Sequence, residues 1–276
     1  MRDAGYAAPT PRVLYIHDDL SDDVRQKHGA DSPAFHLTQE LFAMARRNSP
    51  AVAVLTVEQQ IELLLGHFDH APFAVAVGIG RAGERVARQL HQRAGWFPRI
   101  RRVDITREED GRGGYNLVST SGTPWESQLR GLEEFTSVAL VDDTLFSGLT
   151  LRTVLRSLPP TVAARVHAFC LRGVAETIPS IAAMCPISIG FGAPGRILDD
   201  VSFINASGLV MRVGIRRAGK PPMAFFERPA WIRAWFPSCA NEAIALCRRV
   251  NALLEPALPS TAALPFSPAI STRPLT

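Results

Sequence analysis

Five short strand candidates between residues 73 and 191, most of them apolar, constrain the fold of this chain more than any other feature of its sequence. In order, they are FAVAVGI (73–79), RIRRVDI (99–105), SVALV (137–141), RVHAFCL (165–171) and PISIGF (186–191). Helical patterns lie between them, such as the i, i+3, i+4, i+7 series of Leu151, Val154, Leu155 and Leu158. Nearly all-apolar strands that alternate with helices are typical of a parallel sheet covered by helices on both faces. The sequence therefore predicts an α/β core over residues 71–192.

The segment before this core predicts helices. After a loose leader at residues 1–11, one helical face carries Leu37, Leu41, Met44 and Ala45. A second helix is predicted to begin at Thr56, because Gln59 three residues later completes a capping box. We therefore expect residues 1–70 to form a helical extension of the core.

The segment after the core predicts a smaller, separate subdomain over residues 193–255. Residues 209–216 and 222–227 predict a β-pair with Pro221 and Pro222 in its turn, and residues 240–254 predict an amphipathic helix. The last residues, 256–276, are rich in Pro, Ser and Thr, which is typical of a disordered tail.

Charge and cysteine usage exclude several classes of protein. The formal net charge is +4, but the basic residues are dispersed, so no stripe for nucleic acid is predicted. The four cysteines form no C-x-x-C pair and have no histidine at metal-ligand spacing, so buried, reduced thiols are expected. The N-terminus does not read as a secretory signal, and no apolar run approaches the ~20 residues of a membrane span. We expect a cytoplasmic protein with no membrane or nucleic-acid partner.

The stretch VALVDDTLFSGLT (138–150) places two adjacent carboxylates where a buried strand is predicted to end. Ligands of open parallel sheets bind outside the carboxyl ends of the strands. The loop after Asp142 and Asp143 leads to a helix N-terminus, whose free N–H groups favour a phosphate. Carboxylates would repel that phosphate, so we interpret them as acceptors for sugar hydroxyls of the same ligand. The alternative, an Asp N-cap after an ordinary strand, explains one carboxylate but not the pair.

This stretch resembles the phosphoribosyl pyrophosphate (PRPP) motif of type I phosphoribosyltransferases, in which an apolar strand, two acidic residues, a hydroxyl residue, Gly and Thr or Ser follow in that order. The resemblance implies that Asp142 and Asp143 contact the ribose 2′- and 3′-hydroxyls and that the following loop holds the 5′-phosphate. The loop residues so assigned to PRPP binding are Thr144, Leu145, Phe146, Ser147, Gly148, Leu149 and Thr150. The resemblance also implies a parallel-sheet core with an additional hood subdomain, built from residues 1–70, 193–255 or both, that selects the acceptor.

A second glycine-rich stretch, VGIGRAG (77–83), ends the first strand of the core. It is similar to the pyrophosphate loop of the same family, which often reads Gly-x-x-Arg-Gly-Gly. The resemblance implies that Gly80, Arg81, Ala82 and Gly83 bind the pyrophosphate, with Arg81 in a catalytic role. The pattern G-x-G-x-x-G would also suit a dinucleotide-binding oxidoreductase. That alternative needs an acidic residue at the end of the next strand, for which Asp104 is the candidate.

Residues 106–126 contain several glycines and charges with weak periodicity, which predicts a mobile loop and not part of the core. In the family, this segment is a flexible flap that closes over PRPP. Arg107 and Arg112 are its available cations, and we assign Arg107 to the catalytic set with Arg81 and the two aspartates. For each arginine singly, a solvated loop residue is the alternative.

Phe146 and Phe191 are the predicted acceptor-binding residues. Purine-salvage members of the family carry an acidic base where Phe146 stands and a basic residue where Leu149 stands, so purine salvage is not expected. Family members often present an aromatic residue for base stacking after the fifth strand, where Phe191 lies. The segment PMAFFERPAWIRAWF (222–236) suits a wall for a flat, anionic acceptor, but we favour an ordinary helical core for most of its aromatic residues.

The resemblance implies a Mg²⁺-dependent enzyme of nucleotide metabolism that transfers the 5-phosphoribosyl group from PRPP to an unidentified small-molecule acceptor. Mg²⁺ binds largely through substrate phosphates and waters, so a dense cluster of protein ligands is not needed. Asp199 and Asp200 could help to hold a metal, but we favour a helix cap or a surface pair for them. We expect a homodimer. The alternative function is a PRPP-sensing regulator or subunit that binds without turnover.

Overall fold

The computed structural model of the chain describes residues 13–47, 51–110, 112, 114–194 and 203–255. The predicted leader, the predicted tail and the pair Asp199–Asp200 lie outside these ranges. The strands within them are β1 (Leu14–Asp18), β2 (Val52–Thr56), β3 (Val75–Ile79), β4 (Ile100–Val103), β5 (Ile105–Glu109), β6 (Tyr115–Ser119), β7 (Val138–Leu145), β8 (Val166–Val174), β9 (Ile187–Ala193), β10 (Phe203–Asn205), β11 (Ile215–Arg217) and β12 (Lys220–Met223). The α-helices are α1 (Ser21–His28), α2 (Pro33–Arg47), α3 (Val57–His67), α4 (Gly80–Ala94), α5 (Leu149–Ser157), α6 (Pro160–Ala163), α7 (Ile178–Ala182), α8 (Ala206–Val210), α9 (Pro229–Trp235) and α10 (Ala240–Leu254).

The central sheet has five parallel strands in the order β4-β3-β7-β8-β9. Alternate residues of its strands enter two different cores, as Val138 and Leu140 do on one face and Ala139 and Val141 do on the other. Helices α5, α6 and α7 cover the first face, and α3 and α4 cover the second. The inner strands β3, β7 and β8 are buried on both sides, which is why their sequences are nearly continuous apolar runs, whereas the edge strand β4 carries Arg101 and Arg102. The predicted parallel α/β sheet with helices on both faces is confirmed.

The strand order distinguishes between two kinds of nucleotide-binding sheet. Counted within the sheet, it is 2-1-3-4-5, whereas the dinucleotide-binding fold of oxidoreductases has the order 3-2-1-4-5-6. The dinucleotide alternative therefore does not fit this sheet. In the order found here, the topological switch point lies between β3 and β7, and ligands of such sheets bind at that point. Each of the two glycine-containing motifs begins in one of these two strands and continues beyond its carboxyl end.

Residues from both ends of the chain form a second parallel sheet in the order β10-β1-β2. Tyr15 of β1 pairs with Phe203 of β10, and Leu14 pairs with Val52 of β2. Helices α1, α2, α8, α9 and α10 pack with this sheet in one hydrophobic core. Parts of the segments 1–70 and 193–255 therefore form one subdomain. Residues 1–70 were predicted to be helical, but they also contain the strands β1 and β2. We call this unit the terminal subdomain.

Helix α3 is the part of residues 1–70 that packs on the central sheet. Its residues Ile61 and Leu64 pack with Phe169 of β8. The predicted capping box is confirmed, since the side chain of Thr56 accepts from the amide of Gln59 and the side chain of Gln59 accepts from the amide of Thr56. The predicted domain boundary at residue 70 consequently cuts through the core of the central sheet.

The segment 106–126, predicted as a loop, contains most of an antiparallel hairpin. Strand β5 pairs with β6 from Ile105↔Ser119 to Glu109↔Tyr115, and β11 extends this sheet through Arg217↔Glu109. The hairpin is therefore tied to the terminal subdomain in a sheet of order β12-β11-β5-β6. The predicted strand 99–105 is divided between β4 and β5. Glycines in a segment of alternating polar residues suggested a loop, but a solvated two-stranded ribbon has the same composition.

The C-terminal half of the terminal subdomain differs from prediction in its turn and agrees in its aromatic core. The turn between β11 and β12 is Ala218–Gly219, where Gly219 has φ +64°, and both prolines lie in the edge strand β12. An edge strand tolerates proline because one side needs no ladder hydrogen bond. Phe226, Trp235 and Phe236 are buried in the core, as favoured for the 222–236 segment. The predicted final helix is α10.

Two further predictions were that the cysteines are reduced and that no helix spans a membrane. The cysteines are all free thiols, and three of them, Cys170, Cys185 and Cys247, are buried. None of the helices in the described part of the chain has both the length and the apolar character needed to cross a bilayer.

Candidate functional site

A cleft of about 1370 Å³ lies between the central sheet and the terminal subdomain. One wall is the carboxyl ends of β3 and β7, and the hairpin β5–β6 forms a second. The third wall is the carboxyl ends of β1 and β10 with the segments that follow them. Parallel sheets bind ligands outside the carboxyl ends of their strands. Here the carboxyl ends of two parallel sheets border the same space.

The acidic pair lies within β7 and not after it. Strand β3 runs beside β7 only as far as Gly78↔Val141, whereas β8 continues beside it to Leu145↔Gly173. Asp142 and Asp143 therefore begin just where β3 ends and the sheet opens, and both line the cleft. The loop before α5 is shorter than predicted, because the strand continues to Leu145.

The two aspartates have different surroundings. Oδ2 of Asp143 accepts hydrogen bonds from Nη2 of Arg172 (3.4 Å) and Nδ2 of Asn205 (3.1 Å). Burial by itself would raise the pKa of Asp143, but the charges of Arg172 and His17 outweigh it and hold that pKa below its ordinary value. Burial, and then the charge of Asp143, raise the pKa of Asp142 well above its ordinary value. The pair therefore favours one ionised carboxylate, Asp143, beside a carboxyl that takes up a proton readily.

The turn after β7 leads directly into the N-terminus of α5. Gly148 has φ +72°, a left-handed conformation that favours glycine. Oγ of Ser147 accepts from the amide of Leu149 at 3.3 Å, and Nη2 of Arg152 donates to the carbonyl of Ser147 at 2.7 Å. The turn is thus held from both sides, and Arg152 is a contributor that the sequence motif did not indicate.

Only some of the predicted PRPP-loop residues reach the cleft. Thr144, Phe146 and Thr150 line it, whereas the remaining four, Leu145, Ser147, Gly148 and Leu149, do not. Oγ1 of Thr144 is buried and has no hydrogen-bond partner among the described residues. A buried hydroxyl without a partner is costly, so a ligand group at this position would satisfy it. The three lining residues lie around the start of α5, where free amides favour an anion.

The glycine-rich motif divides into a part that lines the cleft and a part that packs the helix. Gly80 has φ +61° and lines the cleft with Arg81 and Ala82. Gly83 does not line it: a Cβ there would clash with the carbonyl oxygen of Val141. A Cβ at Gly78 would clash with the backbone of Glu84. These two glycines let α4 start close against the sheet, so their spacing reflects packing.

The hairpin brings Arg107 to the acidic motif. Its guanidinium carbon lies 5.8 Å from the ring centroid of Phe146, and its charge acts to lower the pKa of Asp142. Both Arg107 and Phe146 line the cleft, but Arg112 does not. Asp104, the acidic candidate of the dinucleotide alternative, also lines the cleft, and its carboxylate is paired with Arg102 at 2.7 Å.

Phe191 does not line the cleft. Its ring centroid lies 5.2 Å from that of Tyr15, and Tyr15 stacks at 5.2 Å on Phe203. Phe203 does line the cleft, and Phe146 packs against the same cluster. The predicted aromatic pair is therefore separated: Phe146 is at the surface of the cleft and Phe191 lies behind Phe203.

Several cleft residues had no signal in the sequence motifs. Asp19, at the end of β1, accepts from the amide (2.9 Å) and hydroxyl (2.6 Å) of Ser207 and lies 3.7 Å from Arg85. Asn205 and Arg172 line the cleft beside Asp143. The charged Arg172 directly after the apolar run 165–171 was the one available sign, since buried positions rarely hold an unpaired charge.

Metal ligands are sparse in this site. Within the described ranges, no group of three or more His, Cys, Asp or Glu side chains is arranged to hold a metal ion. Of the carboxylates in the cleft, Asp104 and Glu109 are paired with Arg102 and Arg228.

Comparison with known proteins finds no matching family model and no matching curated protein. Solved structures similar to the chain include a purine phosphoribosyltransferase from Pyrococcus horikoshii, at 20% identity, covering 54% of this chain and 87% of that one with a TM-score of 0.39. An orotate phosphoribosyltransferase from Aeropyrum pernix has 21% identity, 49% and 69% coverage and a TM-score of 0.30. A hypoxanthine phosphoribosyltransferase from Staphylococcus aureus has 16% identity, 52% and 80% coverage and a TM-score of 0.32. These identities and TM-scores are too low to carry an inference about the activity of this chain.

Proposed function

We propose that the chain binds Mg²⁺·PRPP in this cleft and transfers the 5-phosphoribosyl group to a small acceptor, with release of pyrophosphate. The observation that carries the proposal is that two motifs distant in sequence lie on the adjacent strands β3 and β7 and border one cleft. Gly80–Ala82 offers backbone amides and a guanidinium, and 142–150 offers carboxyls followed by a helix N-terminus. A ligand with sugar hydroxyls between two phosphate groups matches this order of donors and acceptors.

The roles of the residues follow from their chemistry. Asp142 and Asp143 accept hydrogen bonds from the ribose hydroxyls, while Thr144, Thr150 and the amides of α5 bind the 5′-phosphate. Arg81 and the amides that follow β3 bind the pyrophosphate from the other side, and Arg107 covers it from the hairpin. As the bond from C1 to pyrophosphate breaks and the acceptor bonds to C1, positive charge develops on the sugar and negative charge on the leaving group. Arg81 and Arg107 stabilise the leaving group, and Asp143 lies on the sugar side.

Mg²⁺ fits this set of residues. An ion held mainly by the ligand's phosphates and by water needs one or two protein carboxylates and no dense cluster. Asp142, which lines the cleft and forms no ion pair within 4 Å among the described residues, is the proposed protein donor. When bound, the ion would neutralise charge on the pyrophosphate.

The acceptor is proposed to lie against Phe146. Its ring lines the cleft beside Arg107, so a flat acceptor has an aromatic face and a cation within reach. Phe191 is proposed to act on the acceptor indirectly, by holding Phe203 in place through Tyr15. Phe146 offers no proton-accepting group, which suits an acceptor that ionises without a protein base.

Calorimetry with Mg²⁺·PRPP and a pyrophosphate-release assay with a panel of bases, aromatic acids and amines test the proposal. We expect saturable binding, and release of pyrophosphate with at least one acceptor class. Arg112→Gln is the control variant, because Arg112 does not line the cleft. No binding to the folded protein would refute the proposal. Binding without release for every acceptor would favour a PRPP-sensing role. Light scattering of the same preparation tests the expected homodimer.

A further inference from the structure

Arg172 is a buried charge in the middle of the central sheet. It lies on β8, opposite Thr144 of β7 and Phe191 of β9. Its exposed fraction is 1%, and it is the largest of the fully buried side chains in the described residues. Burying a guanidinium is costly unless its charge and its donors are matched. Its partners therefore indicate what the arginine is for.

Three polar side chains surround the guanidinium, and each comes from a different element. Nη2 donates to Oδ1 of Asn205 at 2.5 Å and to Oδ2 of Asp143 at 3.4 Å. Nη1 donates to Oε1 of Gln60 at 3.3 Å. The partners thus lie on β10, β7 and α3, which are distant in sequence. The planar fork of arginine can reach three acceptors at fixed angles, which a lysine ammonium on a flexible chain cannot do as well.

Two of these partners are themselves held in place. Nε2 of Gln60, which is fully buried, donates to the carbonyl of Thr56 at 2.9 Å and lies 2.8 Å from Nδ1 of His17. Asn205 ends β10, and its Nδ2 donates to Oδ2 of Asp143 at 3.1 Å. Contacts with α3 and with the terminal subdomain therefore hold Arg172 in the position from which it contacts Asp143.

Both donors to Asp143 act on the same oxygen. Oδ2 receives Arg172 and Asn205, so the plane of the carboxylate is set and Oδ1 is left for other partners. The neighbouring Asp142 has no ion pair among the described residues; its Oδ1 accepts from the amide of Asp143 at 2.8 Å, and its carboxyl shares a side-chain hydrogen bond with that of Asp143. The two adjacent carboxyls therefore differ in their contacts: Asp143 is held by Arg172 and Asn205, whereas Asp142 has no ion pair.

We infer that Arg172 is the positioning residue of this site, orienting Asp143 for the ribose hydroxyls, with Asn205 and Gln60 setting its own place. The inference rests on the proposed function, because it assigns an orienting role toward the same ligand. It also makes the terminal subdomain part of ligand binding through Asn205, which holds Asp143 and Arg172. A site held by residues that are themselves locked loses much of its precision when the supporting residue is removed.

A double-mutant cycle between Asn205→Ala and Asp143→Asn tests whether the support acts through Asp143. We expect Asn205→Ala to weaken Mg²⁺·PRPP affinity about tenfold when Asp143 is present, in the range known for coupled contacting residues. In the Asp143→Asn background, we expect less than about a threefold further loss. Arg172→Lys should retain the charge and lose the geometry, so its affinity should fall between those of wild type and Arg172→Met. Asn205 is partly exposed, so its variant keeps the test available if Arg172→Met does not fold.

The matched control is Arg165→Lys. Arg165 directly precedes β8 and donates to the carbonyls of Leu132 and Glu133, away from the cleft. Its substitution should leave Mg²⁺·PRPP affinity unchanged even if it lowers stability. Additive losses in the cycle, with wild type binding PRPP, would overturn the positioning role and leave the proposed function standing. Absence of binding by wild type would overturn both.

Discussion

Gly83 of α4 and Val141 of β7 are in such close contact that a Cβ at residue 83 would clash with the carbonyl oxygen of Val141. Val141 directly precedes Asp142, and Gly83 lies two residues after Arg81. This contact therefore sets the distance between the start of α4 and the acidic pair. Gly83 was predicted to bind pyrophosphate, but it does not line the cleft, and we expect it to act by positioning Arg81.

The first prediction is that Gly83→Ala lowers the free energy of unfolding by about 1–3 kcal/mol, because an added methyl group forces α4 away from the sheet. Gly66→Ala is the control, since a Cβ at Gly66 has no atom within 4 Å. Gly66 lies in α3, so its alanine variant should be as stable as wild type or more stable by up to ~1 kcal/mol. Urea unfolding measures both. Equal effects of the two variants would contradict the packing role.

The second prediction separates the two aspartates by stability. Asp143→Asn leaves the buried Arg172 without its carboxylate and should cost about 3–5 kcal/mol. Asp142→Asn should leave stability unchanged or raise it, because the raised pKa of Asp142 shows that folding disfavours its charge. Urea unfolding at pH 7 gives the comparison, and calorimetry on the folded variants should show weakened PRPP binding for both. A larger stability loss from Asp142→Asn would contradict the assigned surroundings.

The third prediction concerns the two arginines of the hairpin. Arg107→Gln should weaken Mg²⁺·PRPP affinity by about 1–2 kcal/mol, because it removes a cation from the lining of the cleft. Arg112→Gln changes the same charge on the same hairpin but away from the cleft, and its affinity should equal that of wild type. The measurement is calorimetry at two salt concentrations. Equal losses for both variants would indicate a general charge effect.

The fourth prediction divides the aromatic segment 222–236 between core and cleft. Trp235→Ala should lower the free energy of unfolding by about 3–5 kcal/mol, since Trp235 is buried in the terminal subdomain. Phe225→Ala should mainly raise the acceptor KM, because Phe225 lines the cleft and is only partly buried. Steady-state kinetics on both variants checks this division. An unchanged acceptor KM in Phe225→Ala would exclude this segment from acceptor binding.

The fifth prediction concerns two histidines that contact Ser188 near the amino ends of β8 and β9, away from the cleft. Nε2 of His70 and Nε2 of His167 lie 3.1 and 2.9 Å from Oγ of Ser188. Burial lowers the pKa of both, to about 4 for His167. The unfolded chain then binds protons more readily, so the stability from this pair is complete above pH ~6.5 and is lost as pH falls toward 4. Urea unfolding at several pH values should show that loss.

The histidine prediction has a matched control. His167→Gln should reduce the dependence of stability on pH between 6.5 and 4, because it removes a titrating group from the folded state. The same substitution at His36, which is exposed on α2, is the matched control. Identical pH dependence in wild type and His167→Gln would refute the assignment.

The central sheet was predictable because its signals are local. A strand buried on both faces must be apolar at consecutive positions, as in SVALV, and the capping box at Thr56 is complete within four residues. The terminal sheet was not predictable in the same way. Strand β1 is five residues long and pairs with β10 from the other end of the chain. A short apolar run does not show its partner, and periodicity cannot separate it from a helix.

The sequence by itself determined the chemistry of the two motifs, because glycine in a left-handed turn and adjacent carboxyls are properties of a few neighbouring residues. Only the tertiary structure decided which members of those motifs face the cleft, since Gly83 is used for packing and Phe191 lies behind Phe203. It also decided that Arg172 and Asn205 hold Asp143 in place while Asp142 has no ion pair among the described residues. These contacts join segments far apart along the chain, and the energy that brings them together comes from burial of both cores.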